Sequence, residues 1–193
     1  MKDPHLIRKI IFIAFFASFS ACLQVFADEF IYWQSALFSE FWRIWTAHWV
    51  HVGWIHYLLN MLAFACLPFI FPRVKVWQFV VLLLWLPLFI SLGFYFFFPT
   101  IEAYAGLSGV LHGAYVAVAC VYLLNQKERP FAGLVLSLIL VKLIWENTMG
   151  SVGTAELIGS PVLVEAHLLG VIGGIIIAII YILCDYFWQS RYD

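Results

Sequence analysis

Two side chains in this sequence could form a nucleophile and its general base. Ser108 stands between Gly106 and Gly109 at the start of an apolar run, where packing gives no reason for a hydroxyl. His167 opens a second apolar run, which is also rich in glycine. A neutral imidazole can take the proton of a serine hydroxyl that attacks a carbonyl carbon. The pair therefore predicts an enzyme, provided that the surrounding elements bring the two residues together.

The composition indicates what kind of elements hold these residues. The chain of 193 residues is 65% hydrophobic and only 11% charged, whereas soluble domains are about half apolar and about a quarter charged. It is therefore predicted to be an all-α integral membrane protein in contact with the lipid bilayer. It has no basic patch, so nucleic acid is not a predicted partner, and we predict no cofactor. The four cysteines lie in apolar runs without metal-ligand spacing, which predicts buried, unbonded thiols.

Six segments are long and apolar enough to cross a bilayer as helices, since a crossing helix needs about 20 mostly apolar residues. Together they predict a single membrane domain over residues 1–193, built as a six-helix bundle. The first span resembles a signal peptide with a cleavage site at Val25-Phe26-Ala27, but it is long for one and we predict a retained helix. The predicted spans are 8–27, 54–72, 76–98, 108–125, 131–149 and 163–187.

The basic residues orient the bundle. With the N-terminus in the cytoplasm, Arg43 lies outside, Lys142 lies within a span, and the other eight Lys and Arg residues lie on the cytoplasmic side. This distribution follows the positive-inside rule and places both termini in the cytoplasm. The cytoplasmic set is Lys2, Arg8, Lys9, Arg73, Lys75, Lys127, Arg129 and Arg191.

The segment 28–53, which we name the L1 loop, is rich in Trp and Phe and has few charges. Such residues suit the membrane–water interface. The pattern predicts short amphipathic helices that lie in the outer leaflet.

The orientation places four polar residues at a similar depth. His56, Asn60, Ser108 and His167 all lie near the outer ends of spans two, four and six, and polar groups inside a membrane are functional candidates. We expect the backbone N–H of Ser108 and the side chains of His56 and Asn60 to bind the oxyanion that forms on the attacked carbonyl. No acidic third member is evident, because Glu165 faces elsewhere on its helix, so the sequence predicts a Ser–His dyad.

Glycines on spans four and six favour close approach of these two helices. Gly109 and Gly113 are four residues apart on one span, and Gly170 and Gly174 are four apart on the other. Such small-residue faces let membrane helices pack closely. Close packing here would bring the serine hydroxyl within hydrogen-bond reach of the imidazole.

Three motifs together resemble those of the rhomboid intramembrane serine proteases, in the same order and over nearly the whole chain. They are Trp42-Arg43 followed by His51, His56 and Asn60; Gly106-Leu107-Ser108-Gly109; and Ala166-His167-Leu168-Leu169-Gly170 with Gly174. The resemblance implies a serine endopeptidase that works inside the membrane. It also implies Ser108 as nucleophile, His167 as base, and His51, Gly106, Gly109 and His112 as active-site neighbours.

A subfamily, the rhombosortases, is also similar. His112 stands one turn after Ser108, where many rhomboids carry a tyrosine stacked on the catalytic histidine. With His48, Leu111-His112-Gly113 and the segment from Lys142 to Glu146, it resembles this subfamily. The resemblance implies a bacterial inner membrane and a site open to the periplasm. It implies single-pass substrates with a Gly-Gly-containing C-terminal sorting segment, a transmembrane helix and a basic tail. His112 could be a flat neighbour of the catalytic histidine or could join the acid–base chemistry.

Several other side chains have competing interpretations. Lys142 and Glu146, four residues apart in span five, form either a buried ion pair or part of a substrate pocket. We expect Arg43 to tie down the L1 loop through carbonyl or carboxylate contacts, and His51 to form a hydrogen bond between the loop and span two.

A metal cluster of His48, His51 and His56 is an alternative use of the histidines. The sequence has no HExxH motif and no acidic ligand close to these residues. We therefore predict no metal.

Two other functions remain open. A catalytically silent rhomboid-like protein that binds transmembrane clients would lack the serine or the histidine, and both are present. A transporter would need polar residues at mid-depth and on both sides, whereas here they concentrate at the outer ends of three spans.

Overall fold

A computed structural model describes residues 4–150 and 152–189, which are mostly helical. Short 3₁₀ turns, at Ala27–Glu29 and Gln34–Ala36, lie in and beside the L1 loop. The elements in chain order are α1 (Pro4–Gln24), β1 (Tyr32–Trp33), α2 (Arg43–Thr46), α3 (Trp54–Ile70), α4 (Val76–Phe97), β2 (Ala103–Tyr104), α5 (Ser108–Tyr122), α6 (Arg129–Met149), α7 (Val152–Ile158) and α8 (Val164–Gln189).

Four of the described helices are long and apolar enough to cross a membrane. They are Leu6–Gln24 within α1, Val76–Phe97, Arg129–Met149 and Val164–Tyr186 within α8. Helices α3 and α5 are apolar but shorter, with 17 and 15 residues. Each predicted span overlaps one of these helices with ends that agree to within about four residues, because long apolar runs bounded by charges specify helix limits well.

Charged residues from three parts of the chain meet at one end of the bundle. Lys9 of α1 donates a hydrogen bond to the carbonyl of Pro72 in the α3–α4 turn, at 3.4 Å. Arg73 of the same turn forms a 3.1 Å ion pair with Glu128, which precedes α6. This end is opposite to the start of α5, where Ser108 lies. Lys2 and Arg191, two further basic residues of the predicted cytoplasmic side, lie outside the described residues.

The L1 loop contains less helix than the sequence predicted. Within residues 28–53 only Arg43–Thr46 is α-helical, and the rest is turns, 3₁₀ segments and β1. The strand β1 pairs with β2 in antiparallel register, with Tyr32 opposite Tyr104. The loop is thereby joined to the segment that leads into α5.

Arg43 explains why little of the L1 loop is helical. Its side chain is buried inside the loop, and Nη1 donates to the carbonyls of Asp28 at 3.1 Å and Ile31 at 2.7 Å. Carbonyls that accept from a guanidinium in this way turn inward, and the chain folds around the side chain. Because Nε also donates to the Glu40 carboxylate at 2.6 Å, the predicted structural role of Arg43 is confirmed.

Helix α1 is tied to the L1 loop by polar contacts. The Gln24 side chain donates to the His51 carbonyl and accepts from the His51 backbone N–H, both at 2.7 Å. The buried hydroxyl of Ser20 donates to the Trp49 carbonyl. These contacts make α1 part of the packed fold.

The cysteines are less buried than predicted. Cys22 and Cys184 are exposed on α1 and α8, while Cys66 and Cys120 are partly buried, and all four are free thiols. Contact with lipid explains this exposure. A helix surface that faces lipid tails needs only to be apolar, so a small hydrophobic residue is as suitable there as in the core.

Helix α5 is the centre of the bundle. Most of its residues are buried, and it packs against α8, α4 and α6. The residues at its start therefore lie close to three other helices, which is where the candidate site forms.

Candidate active site

Ser108 is the first residue of α5 and follows a tightly held turn. Gly106, two residues earlier, has φ +143°, a backbone conformation that favours glycine. Its N–H donates to the Ala47 carbonyl at 3.0 Å, and its carbonyl accepts from the Tyr104 hydroxyl at 2.5 Å. A Cβ at Gly106 would lie 2.8 Å from Cε1 of His56. The L1 loop and β2 thus fix the backbone on which Ser108 stands.

His167 of α8 lies against Ser108. The hydroxyl Oγ of Ser108 is 2.9 Å from Nε2 of His167, and the His167 side chain is only 2% exposed. The two residues that the sequence singled out are therefore neighbours in space. A hydroxyl that donates to an imidazole nitrogen in this way can lose its proton to that nitrogen.

Glycines hold α5 and α8 at this separation. A Cβ at Gly109 would lie 2.7 Å from the Ala166 carbonyl oxygen, and a Cβ at Gly113 would lie 2.5 Å from that of Gly170. The backbones of the two helices are in contact at both places. The predicted close approach of the small-residue faces is confirmed.

A carboxylate that the sequence analysis did not place here lies on the other side of His167. Oε2 of Glu146, on α6, is 2.7 Å from Nδ1 of His167, and both side chains are buried. The expectation that no acidic residue accompanies the histidine is therefore wrong. Glu165, the acidic residue considered for that place, lies on α8 itself, whereas Glu146 reaches the imidazole from a separate helix.

Lys142 joins Glu146 to the neighbouring cavity. Its ammonium contacts Oε1 of Glu146, one turn later on α6, so the predicted ion pair is present. The Lys142 side chain is 45% exposed and lines the cavity, whereas the Glu146 side chain is 5% exposed. The lysine is thus the member of the pair that a ligand in the cavity could touch.

His112 stacks on His167. Their ring centroids are 4.1 Å apart with an interplanar angle of 18°. Nδ1 of His112 donates to the Ser108 carbonyl, one turn earlier, at 2.7 Å. His112 therefore occupies the place of a flat neighbour to the imidazole.

His56 and Asn60 of α3 lie beside the same cavity as Ser108. Asn60 is 5% exposed, and its Nδ2 donates to the His56 carbonyl of its own helix at 3.1 Å. Nδ1 of His56 is buried and has no hydrogen-bond partner among the described residues. Both side chains therefore keep unused polar capacity near the serine.

His51 and His48 of the L1 loop have different surroundings. The ring nitrogens of His51 have no hydrogen-bond partner among the residues that the structure describes, and the ring packs edge-on against His56 and Tyr57. The prediction of a hydrogen bond from His51 to span two is therefore wrong. The ring contacts α3 through edge-on packing instead. Burial, with a smaller contribution from nearby His56, lowers the pKa of His51 to about 3, so the ring is neutral near pH 7.

His48 ties the loop to α4. The Ser91 hydroxyl donates to the Ile44 carbonyl at 2.9 Å, so Nε2 of His48, 3.1 Å from that hydroxyl, is the donor of their hydrogen bond. Burial lowers the pKa of His48 to about 3. The ring is a neutral structural link in the part of the loop that supports Gly106.

A cavity of about 970 Å³ connects these residues. It lies between α3, α5, α6, α7 and the L1 loop. Polar residues from several of these elements line it, and apolar side chains form most of its surface. The polar members are Gln24, Asp28, His51, His56, Asn60, Ser108, His112, Lys142, Thr154, Ser160 and His167.

His48, His51 and His56 do not meet at one point. His48 points towards α4, so it does not converge with His51 and His56. Within the described residues, His112, Glu146 and His167 do bring possible ligand atoms within 4.8 Å of one another. Because His167 already uses Nδ1 for Glu146 and Nε2 for Ser108, it has no free nitrogen for an ion in this arrangement.

A comparison with models of protein families gives a match. The family model for the Rhomboid domain matches residues 39–184. This range includes the L1 loop from its second half onward and all the side chains of the Ser108–His167 site. None of the curated proteins compared with the chain matches it.

Proposed function

Because the chain belongs to the rhomboid family, whose members are serine intramembrane proteases, we propose that it is an intramembrane serine endopeptidase. Ser108 is the nucleophile and His167 is the general base. The observation that carries this proposal is the 2.9 Å separation of Ser108 Oγ and His167 Nε2 at the edge of the cavity. Such a pair is what acyl transfer from a peptide requires.

The reaction proceeds in two stages. Ser108 Oγ attacks the peptide carbonyl carbon while its proton passes to His167 Nε2. The tetrahedral intermediate then expels the amine, which takes the proton from His167 and leaves an ester on Ser108. Water, activated by the same imidazole, hydrolyses the ester and releases the new carboxyl terminus.

The oxyanion of that intermediate needs donors. A helix leaves its first N–H groups without partners inside the helix, and Ser108 is the first residue of α5. His56 and Asn60 line the cavity beside it. We propose these three groups as the oxyanion site, where single donors are worth about 3–4 kcal/mol in other enzymes. Gly106 supports this role because it lets the backbone approach His56.

The length of α5 supports a site below the membrane surface. Its 15 residues span about 22 Å at 1.5 Å per residue, less than the roughly 30 Å hydrocarbon layer. We propose six crossings, including the short helices α3 and α5, in one domain over residues 1–193. The L1 loop then lies in the outer leaflet. With both termini in the cytoplasm of a bacterial cell, the cavity opens to the periplasm, in agreement with the positive-inside rule.

The substrate proposal follows the rhombosortase resemblance. The proposed substrates are membrane-anchored exported proteins with a Gly-Gly-containing segment before a C-terminal transmembrane helix. A Gly-Gly segment has no side chains, so an extended backbone can come close to Ser108 between His56 and His112. Lys142 in the cavity wall supports contact with peptide carbonyls or with the carboxylate of the product.

A fluorophosphonate probe tests the proposed nucleophile. Labelling of the detergent-solubilised protein is expected, with none in Ser108→Ala and a loss of about 10²–10⁴-fold in rate for His167→Ala. Ser39→Ala is the matched control, since this exposed serine donates a hydrogen bond to the Ala36 carbonyl in its own turn. A folded protein that shows no Ser108-dependent labelling would instead be a silent rhomboid-like binder of transmembrane clients.

The substrate class has its own test. A fusion protein with a Gly-Gly segment, a transmembrane helix and a basic tail is reconstituted in liposomes with the enzyme. Cleavage is expected on the Gly-Gly side of the helix, and a fusion with Val-Val in place of Gly-Gly should be resistant. Equal cleavage of both fusions would contradict the substrate class while leaving the serine chemistry intact.

A further inference from the structure

The imidazole of His167 has a hydrogen-bond partner at each of its nitrogens. Nε2 faces Ser108 Oγ at 2.9 Å, and Nδ1 faces Glu146 Oε2 at 2.7 Å. The three residues come from α5, α8 and α6. They form a continuous chain from hydroxyl to imidazole to carboxylate, in a place where the sequence indicated only a pair.

The carboxylate decides which nitrogen carries the proton. An ionised carboxylate only accepts hydrogen bonds, so Nδ1 of His167 must be the protonated nitrogen. Nε2 is then left with its lone pair directed at the Ser108 hydroxyl. This tautomer is the one that a general base needs, and without a partner at Nδ1 the ring is free to adopt the other.

Lys142 keeps this carboxylate ionised and oriented. Its ammonium contacts Oε1, while Oε2 contacts His167, so each oxygen of Glu146 has a separate partner. An ionised group inside a membrane is expensive unless it is paired. A purely structural ion pair would need only the lysine, and the second contact, with the imidazole, indicates a further role.

We propose that Glu146 is a positioning residue that completes a Ser108–His167–Glu146 triad, with Lys142 holding its carboxylate. This inference rests on the proposed serine endopeptidase activity. When Ser108 attacks, its proton moves to Nε2 and His167 becomes a cation. Glu146 remains ionised and faces that cation, and the proton returns from Nε2 to the leaving amine, so Glu146 itself neither gains nor loses a proton.

The test measures fluorophosphonate labelling of the full-length protein in detergent, with the saturating rate constant separated from the probe concentration at half-saturation. For Glu146→Gln the rate constant should fall by about 10²–10⁴-fold, while the half-saturating concentration changes less than about threefold. Glu146→Asp keeps a carboxylate on the same helix and should recover part of the rate. A structural role alone would reduce the fraction of protein that can be labelled but would leave the rate of the folded fraction unchanged.

Three variants keep the result interpretable. Glu165→Gln removes the acidic side chain two residues from His167 on the same helix and should label like the parent. The single variant Glu146→Gln leaves the Lys142 ammonium without its carboxylate and could misfold for that reason. The double variant Lys142→Met with Glu146→Gln has no such unpaired ammonium and should show the same loss of rate as Glu146→Gln. Ser108→Ala tests the activity on which the inference rests.

The failures are distinguishable. If Glu146→Gln or the double variant is folded and labels within about threefold of the parent rate, while Ser108→Ala is unlabelled, the triad is refuted and the endopeptidase proposal stands. If Ser108→Ala labels like the parent, the endopeptidase proposal itself is wrong.

Discussion

Gly170→Ala tests whether packing of α5 on α8 sets the catalytic geometry. A Cβ at Gly170 would overlap the Gly109 carbonyl oxygen and would lie 2.8 Å from the carbonyl carbon. Ordinary van der Waals contacts of a Cβ begin at 3.4 Å, and the overlapped oxygen is the nearer of the two atoms, so the helices must separate by more than about 1 Å. The opposing atoms belong to a helix backbone and cannot rotate away. Overpacking of this kind costs about 1–3 kcal/mol and occasionally more.

The same separation weakens the contact between Ser108 and His167. A separation of more than about 1 Å, added to their 2.9 Å distance, goes beyond the limit of hydrogen bonding. A misplacement of 1 Å can cost about 10²-fold in rate, so we expect labelling of Ser108 to slow by about a hundredfold or more. In thermal unfolding, a loss of about 2–3 kcal/mol lowers the midpoint by about 4–12 °C for a chain of this size.

Gly133→Ala is the matched control for this substitution. Gly133 lies inside α6, and a Cβ there would meet nothing within 4 Å. Alanine is favoured over glycine in a helix interior by about 0.5–1 kcal/mol, so this variant should be as stable as the parent or slightly more stable. If Gly170→Ala matched Gly133→Ala in both unfolding and labelling, the argument that glycine contacts set the site geometry would be refuted.

Two further predictions concern His112 and the metal alternative. His112→Phe keeps a ring stacked on His167 and should label within about fivefold of the parent, whereas His112→Ala loses a contact worth about 0.5–1.5 kcal/mol and should unfold at a lower temperature; equally slow labelling of both variants would instead assign His112 to the acid–base chemistry. Treatment with a chelator should leave Ser108 labelling unchanged, because both nitrogens of His167 are engaged by Ser108 and Glu146. Loss of labelling that zinc restores would support a metal held by His112, Glu146 and His167.

The sequence specified the parts of the site that depend on position along a single helix. Ser108 and Gly109 are adjacent, and His167 and Gly170 are one turn apart, so the small-residue faces carry the serine and the histidine with them. The predicted ends of the long helices were also close to the observed ends, because charged residues on either side of an apolar run leave few places where the helix can end. The structure of the L1 loop was harder to predict. Its Trp-rich pattern does not reveal that Arg43 donates hydrogen bonds to the backbone carbonyls of Asp28 and Ile31.

Glu146 could not be placed from the sequence for a geometric reason. Whether it faces His167 depends on the rotation of α6 about its own axis, and with 3.6 residues per turn a shift of one residue turns a side chain by about 100°. No small-residue motif on α6 fixes that rotation, and most of its apolar side chains are exposed on the outside of the bundle. The spacing of Lys142 and Glu146 predicted their ion pair but not which side of α6 faces His167.

Packing and positioning therefore make separable contributions to the site. The glycine contacts of α5 and α8 bring Ser108 to His167 without help from α6. Loss of Glu146 should therefore leave the distance between Ser108 and His167 unchanged. It should affect only which nitrogen of His167 carries the proton and how well the protonated ring is stabilised. Gly170→Ala should lower stability and rate together, because one displacement causes both. Glu146→Gln should lower the rate of the folded fraction far more than it lowers stability. A parallel loss of stability and rate in both variants would mean that Glu146 acts by holding α6 in the bundle rather than by orienting the imidazole.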